Sequence, residues 1–147
     1  ADAQSDSIPV YLRFPVIPLF SIMTAPDSIK FTKDDLKKRK ATVIIIFSPD
    51  CGHCKDATKD LLEHIDLFKK AQIIMVTSLD FHYMKKFYEE YKIADYPMIT
   101  MGRDGIYFLS TFYKIKRLPA IFVYDKKGNF LKTFGGDINM KTIAEIL

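Results

Sequence analysis

Apolar positions along this chain follow two rhythms, and the changes between them divide it into elements. From Thr42 to Phe47 every residue is apolar or β-branched, which predicts a central strand buried on both faces. Ile73–Thr77 reads as a second such strand. Between them the rhythm changes: Cys54, Ala57, Leu61, Ile65 and Phe68 recur at spacings of 3, 4, 4 and 3, one face of a helix over 51–69. Asp80 caps a further predicted helix over 81–91, with Phe81, Met84, Tyr88 and Tyr91 inward. Residues 93–101 read as irregular around Pro97, and a short helix follows near 105–113. Ala120–Asp125 and Phe130–Phe134 flank Lys126-Lys-Gly-Asn129, a hairpin signal. Gly135-Gly136 breaks the second strand, and Asn139 opens a last helix with Ile143, Ile146 and Leu147 on its apolar face. Upstream, residues 8–31 alternate loosely and carry Pro9, Pro15, Pro18 and Pro26, which predicts short edge strands and turns. A short helix is expected over 33–39. The order describes a central mixed β-sheet with helices on both faces, in one domain over 1–147.

Composition changes this picture little. Apolar residues at 48%, with 12 Phe and 8 Tyr, supply ample core. A balance of 22 basic and 18 acidic residues gives +4, too mild to imply nucleic acid. The densest basic run, Lys37-Lys-Arg-Lys40, reads as a solvated helix end. No apolar run reaches the length needed to span a membrane. Residues 1–7 are polar and read as a disordered or processed tail.

The candidate chemistry sits at the strand-to-helix junction. The chain has two cysteines, Cys51 and Cys54, separated by Gly52-His53 and placed directly after the first buried strand. Helix N-termini carry unpaired N–H groups that favour an anion, and the thiolate is cysteine's reactive form. The helical stripe makes the two sulfurs unequal: Cys51 at the exposed tip, Cys54 at the head of the core-facing row. A structural bridge closing so short a loop contributes only about 2 kcal/mol, which a chain able to build its own core does not need. Half of a zinc site would require a matching pair, and His53, His64 and His82 are too scattered to supply one. A pair of inert buried thiols fits less well still, because Gly52-His53 and Asp50 put the motif at a surface, and the spacing favours dithiol–disulfide exchange over all three.

The stretch Phe47-Ser-Pro-Asp-Cys-Gly-His-Cys-Lys55 after a strand, with Leu118-Pro119 before a hairpin, resembles the thioredoxin fold. The insertion of residues 80–110 before Leu118-Pro119 and the loose N-terminal extension are similar to the TlpA/ResA group of extracytoplasmic thioredoxin-like proteins. The Gly-His dipeptide matches that of protein disulfide isomerases. The resemblance implies a three-layer thioredoxin-like domain in which Cys51 attacks and Cys54 resolves. It makes Pro119 a cis-proline facing the disulfide, and Leu118 a backbone contact for substrate. Gly135 and Gly136 would let a substrate chain approach. His53 and Lys55 would favour the Cys51 thiolate, and Asp50 would oppose it. No metal or organic cofactor is implied beyond the redox-active disulfide. The implied partners are disulfide- or dithiol-containing proteins outside the cytoplasm and a recharging redox partner, soluble or membrane-bound. A monomer is expected.

Two departures stand out. Relatives carry a buried acid six residues before the first cysteine, or a Glu three after the second; here those positions hold Ile45 and Ala57. Asp56, Asp60 and Glu63 lie off the apolar face and read as solvated surface. Two competing functions remain. A peroxiredoxin-type peroxidase would need Pro where Ile44 stands, although Ser48 matches its pattern. A non-catalytic thioredoxin-like binding module would keep the fold without using the pair.

Overall fold

The computed structural model describes residues 8–147; the tail expected over 1–7 lies outside the described residues. A short helix, α1 (Val10–Arg13), precedes the antiparallel strands β1 (Ser21–Thr24) and β2 (Ile29–Thr32). Then β3 (Ala41–Ile46) leads into α2 (Gly52–Glu63), and β4 (Ala71–Thr77) into α3 (Phe81–Glu90). Next, β5 (Ile99–Arg103) leads into α4 (Phe108–Tyr113), and the hairpin β6 (Ala120–Tyr124) and β7 (Phe130–Phe134) into α5 (Met140–Ala144). The seven strands form one mixed sheet in the order β2-β1-β5-β4-β3-β6-β7.

Strand pleating sorts the core. Val43 and Ile45 of β3, Ile73 and Met75 of β4, and Ile121 and Val123 of β6 point to one face. There they meet Cys54, Ala57 and Leu61 of α2, Met84 and Phe87 of α3, and Met140 and Ile143 of α5. Their neighbours Ile44, Ile46, Ile74, Val76, Phe122 and Tyr124 point to the other face, against Leu109 and Tyr113 of α4 and Tyr11 of α1. All six residues of β3 and all seven of β4 are buried. This is the three-layer thioredoxin-like arrangement, and each fully buried aliphatic contributes roughly 1.5–3 kcal/mol.

The differences from the sequence reading have local causes. The helix expected over 51–69 ends at Glu63; His64 leaves helical geometry, and a 3-10 turn over Ile65–Phe68 swings Phe68 into the core before β4. The helix expected over 33–39 is a single 3-10 turn, Lys33–Asp35, held by Thr32 N–H donating to the Asp35 carboxylate at 2.8 Å. The segment expected to be irregular over 93–101 runs into a core strand, β5, which pairs in parallel with β4 and antiparallel with β1. Its alternation, Ile99 and Met101 inward, is masked in sequence by Gly102; a Cβ there would lie 2.5 Å from Ile22 Cδ1 of β1, so close packing requires glycine. The inward face of α3 is Met84 and Phe87, with Phe81, Tyr88 and Tyr91 at its margin, and Asp80 makes no side-chain cap. In α5, Asn139 does cap, accepting the Thr142 N–H, while Ile146 and Leu147 are exposed.

One buried polar pair fixes the second face. The hydroxyls of Tyr113 and Tyr124 lie 2.7 Å apart, with Tyr113 stacked on Phe122 at 3.7 Å between centroids. Burial raises both phenols, Tyr124 to about 12. Tyr124→Phe should cost about 1–3 kcal/mol in urea unfolding, because it strands the Tyr113 hydroxyl, whereas the double change to Phe should cost less than Tyr124→Phe alone. Wild-type stability should hold below pH 10 and fall as pH rises from there through 12, since the unfolded phenols ionise first.

Candidate active site

The first β3–α2 junction builds the site. Phe47 N–H still donates to Val76 O at 2.9 Å, so the strand stays docked one residue past its end. A turn follows, closed by Cys51 N–H to Ser48 O at 3.1 Å. Cys51 is the N-cap of α2: its sulfur accepts the Cys54 N–H at 3.3 Å, so the open end of the helix is turned on that sulfur. Both thiols are free; Cys51 is half-exposed and Cys54 is 1% exposed, packed in the core. Burial pushes the Cys54 thiol up to about 12, and its hydrogen bond with Cys51 adds to this, while a backbone hydrogen bond from Ser48 opposes.

Across from the pair lies the loop before β6. The Leu118–Pro119 bond is cis, and Cys51 Sγ donates to the Leu118 carbonyl at 3.7 Å. Pairing explains the juxtaposition. Ile46 of β3 is the register partner of Ala120 in β6, so residues just beyond one and just before the other meet at the same sheet edge. A second cis bond, Ala25–Pro26, follows β1; the sequence had shown only a proline there.

The residues expected to tune the site divide around Cys51. His53 lines a cleft of about 350 Å³ with Arg117, Leu118, Gly136 and Asp137. Lys55 and Asp50 line another of about 360 Å³ with Leu79, Tyr83, Lys86 and Glu90. Asp50 accepts the Ser48 hydroxyl. Gly52 opens α2 with nothing within 4 Å of where a Cβ would stand. Gly136, at φ +73°, forms one wall of the His53 cleft, and Gly135 does not line it.

A third cleft, about 350 Å³, was not foreseen. It runs beside Ser48 and Leu118, between the β4–α3 loop (Leu79) and the segment of Tyr107, Ile115 and Lys116. Its walls are tied by Arg103 Nε donating to Leu79 O at 2.8 Å and by Asp104 N–H to Thr77 O at 2.8 Å. Asp104 is buried, and one carboxylate oxygen takes the Leu109 N–H at 2.8 Å while the other has no partner. The one sequence signal for this wall was the exposed apolar Ile106-Tyr107, read as the start of a helix.

Neither position of the missing acids is compensated: Ile45 and Ala57 are both buried in the core around Cys54. Of the acids on α2, Asp60 is more than solvated surface. It accepts the Met140 N–H at 2.9 Å, fastening α5 to α2, and lies 3.0 Å from His64 Nδ1. With Glu63 these are donors within 4.8 Å of one another that could hold a metal, but two of the three are already bonded to each other.

The model of the AhpC/TSA family matches residues 16–132. The chain belongs to that family. Over 91 residues it is 27% identical to a probable protein disulfide-isomerase A6 of Medicago sativa, a match covering 59% of this chain. The chain spans about a quarter of that relative's length, 25%. Among solved structures it is similar to the thioredoxin domain of a thiol-disulfide oxidoreductase from Bacteroides vulgatus, with TM-score 0.73 and 22% identity over 89% of this chain and 94% of that one. It is also similar to a secreted Mycobacterium tuberculosis disulfide oxidoreductase, with TM-score 0.71 and 16% identity over 86% and 92%. At such identities the likeness is one of fold. The family is AhpC/TSA, and the fold is one that these thiol–disulfide oxidoreductases share.

The unequal sulfurs make a direct prediction. Iodoacetamide on the reduced native protein near pH 8 should alkylate Cys51 and leave Cys54 unmodified until denaturant is added, as read by peptide mass mapping. Equal labelling of both cysteines would contradict the burial of Cys54.

Proposed function

We propose that the protein is a thiol–disulfide oxidoreductase of the reductase or isomerase type, working through Cys51 and Cys54 on protein substrates outside the cytoplasm. The observation that carries this reading is the half-exposed Cys51 sulfur at the helix cap, 3.7 Å from the Leu118 carbonyl, with a buried Cys54 one turn behind it. The Cys51 thiolate attacks a substrate disulfide; one substrate thiolate leaves and a mixed disulfide forms. Cys54 then loses its proton and attacks Cys51 Sγ, releasing the second substrate thiolate. Two electrons have passed from the dithiol to the substrate, and the Cys51–Cys54 disulfide remains. A partner redox protein, which could be membrane-bound, reduces it again. No metal or organic cofactor enters this cycle, and a monomer suffices for it.

Leu118 offers its backbone to an extended substrate segment, with Pro119 fixing the loop. His53, Gly52, Lys55 and Asp50 set the balance between thiol, thiolate and disulfide. An extracytoplasmic setting is supported by the lack of any cysteine outside the pair and by the secreted Mycobacterium neighbour. Against a peroxiredoxin-type peroxidase, Ile44 lies mid-strand in β3 opposite Phe122, and the Ser48 hydroxyl is spent on Asp50.

Insulin-disulfide reduction should be lost in Cys51→Ser, and Cys54→Ser should accumulate the mixed disulfide; equal rates for wild type and Cys51→Ser would leave only a binding module. Peroxide turnover with a thiol donor, in place of disulfide reduction, would favour the peroxidase. In the mixed disulfide the Cys51 thiol is gone, but desolvation of Cys54, the larger cause of its raised pKa, remains. Single-turnover release of substrate from the wild type should therefore rise with pH, by up to about tenfold per unit, through the range below 12. A pH-independent release would place the slow step elsewhere.

A further inference from the structure

The pole opposite the dithiol gathers charge that sequence scatters. Ala41 pairs with Ala71 and Thr42 with Tyr124, so β3 and β4 start, and the β6–β7 hairpin turns, at one end of the sheet. The basic residues just before or after those points therefore converge: the Lys37–Lys40 run, Lys69-Lys70 and Lys126-Lys127. The run is not the helix end the sequence suggested, since the 3-10 turn closes at Asp35. Across the loops at this pole, residues 33–40, 65–70, 125–128 and 144–147, there are nine basic and five acidic side chains. They carry the whole formal charge of +4, leaving thirteen basic and thirteen acidic residues in balance elsewhere.

Apolar side chains stand exposed among these cations. Phe14 is 61% exposed, beside the hairpin turn to which Pro15 O and Ile17 N–H are bonded. On the other face Leu67, 52% exposed, joins Leu131 and Ile146 around a groove of about 500 Å³ rimmed by Lys69, Lys70 and Lys126 and by two acids, Asp66, paired with Lys69 at 3.9 Å, and Asp125. Cations alone fit any polyanion. Exposed Phe and Leu on a pole where lysines outnumber acids, with stems long enough to keep the ammonium at the headgroups, fit an anionic lipid surface.

We propose that this pole docks on the surface of an anionic bilayer. No helix among the described residues is long and apolar enough to cross one, so the contact is interfacial. Docked this way, the protein holds Cys51 at the far end of β3, roughly 20 Å along the strand and turned away from the lipid. The proposal stands on charge and exposure and is independent of the redox reading.

Co-sedimentation with vesicles tests it. The chain should bind phosphatidylcholine vesicles containing phosphatidylglycerol, not those of phosphatidylcholine alone, and binding should fall at least about tenfold from low to high salt. Lys126→Glu with Lys127→Glu should weaken binding at least about tenfold, and Leu67→Ser should weaken it separately. Lys59→Glu with Lys85→Glu, the same charge change on the flanks of α2 and α3, should weaken it far less. Melting temperature and Cys51-selective alkylation confirm that each variant is folded; if one is not, the lipid and salt dependence of the wild type and the flank control decide. Absence of binding to anionic vesicles, equal binding to neutral ones, or equal loss in the flank control overturns the proposal. So does polyglutamate binding that is as tight as vesicle binding at the same salt and is unaffected by Leu67→Ser, which would mark an acidic protein as the partner.

Discussion

Everything at the candidate active site depends on β3 being clamped on four sides. It is bonded in parallel to β4 and antiparallel to β6, and packed by helices above and below. Such a strand has no freedom to shift register, because a slip of one residue would exchange Val43 and Ile45 for Ile44 and Ile46 between two differently shaped cores. The position of Cys51 is therefore inherited from the core, not from the loop that carries it. The same clamp brings Leu118 and Pro119 opposite, since β6 is locked to β3 residue by residue. Strands that change direction of connection across β3 leave an open edge at their ends, the usual place for chemistry on an α/β sheet.

Burial that organises the pair also burdens it. Cys54 at the head of the α2 stripe contributes to the core as a small apolar group, and the same desolvation holds its proton tightly. A buried acid nearby would accept that proton; the side chains packed there, Ile45 and Ala57, cannot. The charges acting on Cys54 are those of Cys51 and, less strongly, Asp50, and both raise the thiol further. In the proposed cycle, attack by Cys51 and resolution by Cys54 are thus under different control. The first is set by exposure and the helix cap, the second by the rate at which a buried thiol can be deprotonated.

The strongest periodicities were legible because they report burial directly. The unbroken run of β3, the 3-4-4-3 stripe of α2 and the Gly-Asn hairpin all follow from which side chains must leave water. What escaped was set by contacts between distant segments. Gly102 looks like a strand breaker until Ile22 is seen packed against it. Asp60 looks solvated until the Met140 amide arrives from eighty residues away. Val10–Arg13 is too short, and too closely surrounded by proline, to show a helical period, and it exists because Tyr11 fits among Tyr113, Phe122 and Phe130. The dithiol itself was readable from spacing, but the clefts flanking it were not, because their walls come from five separate loops.

Charge obeys the same distinction. A net charge of +4 says almost nothing when spread over a surface, and in sequence the basic doublets look like ordinary solubilising residues. Topology changes their meaning. Parallel strands must all begin at one end of the sheet, so a lysine pair before each of two such strands becomes one cluster, and the turn of the antiparallel hairpin adds a third pair to it. Nothing in the core requires that cluster: like charges brought together cost free energy unless a partner neutralises them, and the chain has enough acids elsewhere to have dispersed them. The dithiol occupies the opposite end, where the strands finish and the backbone is open. The fold therefore separates chemistry and charge by the length of its central strand, and a single set of register constraints produces both poles.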